Sequence, residues 1–339
     1  MMKLINKIII AIFALGTIFA SCDTLIYDNL EDCAQGVYVK FYSMTPCEKT
    51  DSSFVGEVES ITLLAFDQSG RLAVEPIRKE NQNLTSEYEI LMLLPSGSYT
   101  FVGWAGVNDK FDLKEMKPGT TTKKDVMLAL KSNNNVAANL TGTQVWQGES
   151  PVVHLPEAAQ YGTLYRYTAV NLQELTNRVN VTVTFTELMA ELYDGSKFFV
   201  EISSESGTYN VDGTMPMDQP ALQFPITQSI PFADRQFTES FEMMDLQPKQ
   251  GNILKVYYID EDAEEEKDRI KYVFNGDLVG AILLGAKDNP GKINLFCENE
   301  FDVRLDVIGA CENCPDTYFS CDVWINDWKV HSYSTELGW

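Results

Sequence analysis

The segment RVNVTVTF puts Val179, Val181, Val183 and Phe185 on one side of an extended chain and Asn180, Thr182 and Thr184 on the other. A strict period of two is the signature of a strand with one buried face, because successive side chains on a strand point in opposite directions. FDVRLDVIG repeats the pattern with Phe301, Val303, Leu305 and Val307 inward. GVYVKFY, SITLLAF, YEILMLL, SYTFVGWAG, DVMLAL, KFFVEIS, ILKVYYI, RIKYVF and DVWINDWKVHSY read as further strands. Turn chemistry separates many of them, at Asp67 to Gly70, Pro95 to Gly97, and Asp194 with Gly195. Many short strands at this spacing predict an all-β fold built from sandwiches. Helical periodicity is scarce, and NLQELTN is read as one short helix or turn.

The N-terminus follows a different rule. Lys3 and Lys7 precede an apolar run from Ile8 to Ala20 that ends at Ser21 and Cys22. This is the form of a signal peptide, and it falls short of the roughly 20 apolar residues needed to cross a bilayer. The FASC ending resembles a lipobox, with Phe19 where leucine is usual, and so predicts lipidation of Cys22 and removal of residues 1–21. Two or three acyl chains make a durable anchor where one does not. The length that remains predicts two domains. Pro151, Pro156 and Gly162 interrupt the strand pattern, placing the expected division at 22–160 and 161–339.

The formal charge of −23 becomes −25 once Lys3 and Lys7 leave. That acidity opposes nucleic-acid binding, which requires basic patches, and it leaves lipid rather than charge to hold the protein on a membrane. Of seven cysteines, six remain if Cys22 is acylated, an even number suited to three disulfides in an exported chain. Cys33 and Cys47 flank one strand, which predicts a bridge between them. Cys297, Cys311, Cys314 and Cys321 predict two more in the second domain, with pairing open and a four-thiolate zinc site as the alternative. DEDAEEEKD, from Asp260 to Asp268, reads as a solvated hairpin tip, lacking the Gly and terminal Glu of an EF-hand loop.

No HExxH, phosphate loop, GxSxG elbow or dinucleotide fingerprint occurs, and the chain has two histidines, His154 and His331. No enzyme, cofactor or metal is therefore predicted.

Several stretches in one order resemble a known family. IYDNLEDC and GVYVKFY follow the lipobox, then come ITLLAFDQSGRL, LPSGSYTFVGWAG, VWQG and RVNVTVTF. Together they resemble the fimbrial anchor subunits of Bacteroidota, the minor-fimbrium anchoring lipoproteins of type V pili. The resemblance implies two tandem transthyretin-like β-sandwich domains and a lipid anchor in the outer membrane, at the cell surface. It also implies a role in ending and tethering a pilus by contact with a fimbrial shaft subunit. Shaft subunits of this class lose a strand to proteolysis and accept a neighbour's; an anchor keeps its own, here GVYVKFY. The terminal segment, with Trp328, Val330 and Tyr333, is the candidate strand for the partner, and Asn326 with Asp327 marks a bend before it. The alternative is a final strand packed at home. A second functional reading is a surface glycan-binding lipoprotein using Trp104, Trp146, Trp324, Trp328 or Trp339 as aromatic platforms.

Overall fold

A computed structural model describes residues 34–47, 53–288, 293–311 and 317–333. The predicted signal segment, Cys22, Cys33, Cys314 and Trp339 lie outside the described residues.

The first sandwich opposes two sheets. In one, β1 (Gln35–Tyr42) lies between β4 (Glu89–Leu93), to which it is antiparallel, and β12 (Leu164–Asn171), to which it is parallel. The other follows the order β13 (Gln173–Glu174), β10 (Trp146–Glu149), β5 (Gly97–Ala105), β2 (Gly56–Asp67), β3 (Ile77–Leu84), and β11 (Val153–Leu155) adds to β5. Ile61, Leu63 and Ala65 of β2 join Val37, Val39 and Phe41 of β1 in one core, whereas Leu64 and Phe66 belong to a second. β2 and β5, at the centre of this sheet, are thus buried on both faces. That is why SITLLAF reads as an unbroken apolar run rather than an alternation.

Two motif glycines mark close backbone approaches, one between the two sheets and one beside the β5–β10 pairing. A Cβ on Gly148 would stand 1.9 Å from the Asn171 carbonyl oxygen, and one on Gly106 (φ +76°) 1.9 Å from that of Gln144.

The second sandwich carries the alternating strands. One six-stranded sheet runs β18 (Ile226–Ala233), β19 (Gln236–Met244), β14 (Thr176–Phe185), β22 (Glu300–Ala310), β23 (Phe319–Ile325), β24 (Trp328–Tyr333). Val179, Val181 and Val183 pair in parallel with Phe301, Val303 and Leu305 at its centre. The opposing sheet runs β21 (Ile270–Asp277), β20 (Ile253–Ile259), β15 (Phe198–Ser204), β17 (Leu222–Phe224), β9 (Val136–Ala137), β8 (Ser132–Asn133). β8 and β9 come from the first half of the chain. A third sheet crosses in the same way, β7 (Met127–Leu130) lying between β6 (Phe111–Leu113) and β16 (Thr208–Asn210). Trp104 and Tyr209, one from each half, are both fully buried and stand 6.1 Å apart between ring centroids.

Several expectations change here. Division at residue 160 would sever β12 from β1, with which it forms eight paired positions from Gln35↔Leu164 to Tyr42↔Asn171. The passage between sandwiches falls instead near Leu175, and it is a packed junction rather than a linker. Leu175 N–H donates to Val145 O (2.7 Å), and its carbonyl accepts from Asp245 N–H (2.9 Å) and the Tyr209 hydroxyl. Leu246 N–H donates to Asn177 Oδ1 at 2.6 Å. NLQELTN is strand, because its local pattern yields to pairing with β10 and β19. The helix Leu278–Asp288 was not expected; its LVGAILLG start is apolar on every side and shows no helical stripe.

Candidate anchoring and partner-contact site

β1 holds the candidate retained strand GVYVKFY. Val37, Val39 and Phe41 point inward and are essentially inaccessible to solvent, each worth roughly 1.5–3 kcal/mol of apolar burial. Both edges of β1 are paired, one over eight positions and the other over five. Removing this strand would expose the edges of β4 and β12 together with the floor of the core. Such a slot of unpaired N–H and C=O groups is a template for strand addition. With β1 in place the slot is filled.

The cysteines are arranged differently from the expectation. Cys47 bonds to Cys297 across 250 residues of sequence, so the predicted Cys33–Cys47 bridge does not form. Cys47 follows β1, and Cys297 precedes β22, the strand parallel to β14 at the centre of the second sandwich. The bridge therefore joins the two halves instead of closing one small loop. Cys311 is also disulfide-bonded, to a partner outside the described residues. Cys321 is a free, buried thiol whose pKa is pushed up to about 12 by burial, with the Asp322 and Asp306 carboxylates adding to it. Three bridges from six cysteines, and a four-thiolate zinc site, both fail at Cys321, which faces the core from β23. Proximity in sequence was the wrong guide, because the fold brings Cys47 beside residues 293–297 and holds Cys321 among apolar side chains.

The terminal strand is held at home. Asn326 (φ 46°) and Asp327 (φ 66°) form a two-residue hairpin turn, and β24 pairs back onto β23 from Ile325↔Trp328 to Cys321↔Tyr333. Trp328 and Val330 pack against the core of the second sandwich. Of the three partner-strand candidates, Trp328, Val330 and Tyr333 all belong to the chain's own sheet, as its last strand. Beyond β24 lie residues 334–339, outside the described residues.

Three of the tryptophans are poor platforms. Trp104 is fully buried, Trp146 packs on the first core, and Trp324 is covered by the Arg304 guanidinium at 4.7 Å from its ring centroid. His154 Nδ1 lies 3.1 Å from Ser98 Oγ at the surface. At the junction, burial raises the half-buried Asp245 carboxyl to about 6, although Gln247 Nε2 donates to it at 3.1 Å. Among the described residues, no three His, Cys, Asp or Glu side chains converge as metal ligands, and no helix is long and apolar enough to cross a membrane.

The sequence profile of the fimbrillin-A associated anchor proteins Mfa1 and Mfa2 matches residues 30–334. The chain belongs to this family. It is 36% identical over 328 residues to the minor fimbrium anchoring subunit Mfa2 of Porphyromonas gingivalis, covering 96% of this chain and 95% of that one. The solved structure of the fimbrial anchor protein Mfa2 from Porphyromonas gingivalis superposes with a TM-score of 0.75 at 33% identity, over 89% of this chain and 100% of the other. A Bacteroides thetaiotaomicron structure shares the fold at 20% identity and a TM-score of 0.68, over 91% of this chain and 100% of that one.

Proposed function

We propose that this protein is an outer-membrane lipoprotein that anchors and terminates a type V fimbria, with acylated Cys22 as its membrane end and a shaft subunit as its partner. The reading rests chiefly on β1, buried and paired along both edges, which fills the slot between β4 and β12 that an incoming strand would need. Its family relatives are fimbrial anchors, and the FASC motif supplies the membrane attachment. Contact with the shaft subunit is strand-mediated and involves the C-terminal end, where β24 is the last strand of its sheet and residues 334–339 continue beyond it. A docked β24 restricts donation to that tail unless the strand leaves β23. The test is a deletion strain complemented with wild type, Cys22→Ala or a chain lacking residues 334–339. Wild type should retain short, cell-bound fimbriae, and Cys22→Ala should shed them with the anchor and lose fatty-acid labelling. Loss of the tail should release fimbriae while the anchor stays on the membrane. Normal fimbrial length and retention in the uncomplemented deletion strain would refute the assignment.

A further inference from the structure

The outer face of the β4–β1–β12 sheet has a composition unlike the rest of this acidic chain. Side chains alternate, so Tyr38, Lys40 and Tyr42 of β1 point away from the core that holds Val37, Val39 and Phe41. In register beside them stand Tyr165 and Tyr167 of β12 and Glu89, Leu91 and Leu93 of β4. Tyr38 stacks on Tyr167 with centroids 5.1 Å apart and planes within 15°, and Tyr165 lies 5.7 Å from Tyr38. Leu93 is 57% exposed and Tyr167 68%. The face carries one cation, Lys40, and one anion, Glu89, on a chain of formal charge −23.

The most exposed of these groups gather where the chain enters the fold. Gly36, the second residue of β1, sits between Leu93 and Tyr165. Tyr161, 63% exposed, ends the short helix Ala158–Tyr161 that leads into β12, and Ala158 N–H donates to Ser96 Oγ in the turn after β4. Cys22 is thirteen residues before Gln35, a span that cannot exceed roughly 45 Å even fully extended. Lipid on Cys22 would therefore hold this end of the molecule near the bilayer. Tyrosine is favoured at the membrane–water interface, where its ring meets apolar chains and its hydroxyl meets water. A patch with no net charge also spares the anionic surface the repulsion that the rest of the chain would bring.

We infer that the Tyr38–Tyr165–Tyr167–Leu93 face, with Tyr161, rests on the lipid surface and orients the molecule, so that the second sandwich projects away from the membrane. The inference rests on the lipoprotein reading proposed above. It is tested by hydroxyl-radical footprinting of the lipidated full chain on phosphatidylethanolamine–phosphatidylglycerol vesicles, against the mature Cys22→Ala chain in solution. Oxidation of Leu93, Tyr161, Tyr165 and Tyr167 should fall about threefold or more on vesicles, as expected for rings in the interfacial layer. Phe232, at the far end of β14 beside Phe185, should keep its solution rate. The same digests report the acyl mass on Cys22. An unacylated peptide would remove the premise and the inference with it. An acylated chain whose tyrosines react as fast as in solution would overturn the oriented face while leaving the anchor intact. Protection by added polysaccharide but not by vesicles would assign the face to a glycan and overturn the lipid contact.

Discussion

At the scale of single residues, Asp245 and Cys321 are two groups whose protonation the fold controls. Asp245 stands at about 6 in the folded chain and at 3.8 in an unfolded one. The folded state therefore holds a proton that the unfolded state releases. The stabilising contribution of the protonated carboxyl is complete below pH 3.8 and is lost as pH rises through about 6. Allowing for solvent at this half-buried site, it amounts to roughly 2 kcal/mol. Asp245→Asn should raise the Tm at pH 7.5 and flatten the dependence of stability on pH between 4 and 6.5, as measured by chemical denaturation across that range. An unchanged pH profile would place the titration elsewhere. Cys321, with its thiol at about 12 and no route to solvent, should resist maleimide or iodoacetamide in the native protein and react only after unfolding. Intact-mass measurement reads this directly.

At the scale of elements, β24 and β1 differ in what their loss would do. β24 is a terminal strand whose partner β23 carries Val323 and Ile325 into the core. Deleting residues 329–339 uncovers β23 and removes Val330 from the core's edge. The second sandwich should lose several kcal/mol and bind a dye for exposed apolar surface. Deleting residues 334–339 leaves every β23–β24 pairing from Ile325↔Trp328 to Cys321↔Tyr333 in place and should cost the second sandwich less than the longer deletion does. Equal stability of the two truncations would mean that β24 contributes little at home and is free to be donated. For β1, Val39→Asp introduces an unpaired charge into the slot between β4 and β12. It should prevent folding of the first sandwich, seen as proteolysis beginning in residues 34–175.

At the scale of the whole molecule, the Cys47–Cys297 bridge closes a loop of 250 residues. In the chain-entropy account, a loop this long corresponds to about 5 kcal/mol of destabilisation of the unfolded state. The double variant Cys47→Ser, Cys297→Ser should lose a large part of that in equilibrium unfolding and open the contact of residue 47 with Asn294 and residue 297. For a tether under load the connectivity matters as much as the energy. A pull between the N-terminus and the chain beyond Cys297 passes through Cys47 to Cys297 and leaves the 249 intervening residues out of the covalent path. Single-molecule extension of the oxidised chain should fall short of the reduced chain by roughly 3.5 Å for each of those residues. Equal extensions would show that the bridge is open.

Local chemistry determined much of this protein. Alternation in RVNVTVTF and FDVRLDVIG set the central strands of the second sandwich, because a period of two has one solution with a buried face. Asn326–Asp327 announced its turn, since tight hairpins require residues that tolerate positive φ. GVYVKFY was legible as a strand with Val37, Val39 and Phe41 inward. The tertiary structure decided what depends on meetings between distant segments. Cys47 meets Cys297 and not Cys33, and Cys321 remains a core thiol. β12 returns to pair with β1, moving the junction from residue 160 to Leu175. SITLLAF is buried on both faces because residues 106–145 fold across to the second half. The tyrosine face exists only in the register Tyr38↔Tyr167 and Gly36↔Tyr165. Local propensity acts over a few residues, whereas these choices were made by burial and pairing across more than a hundred.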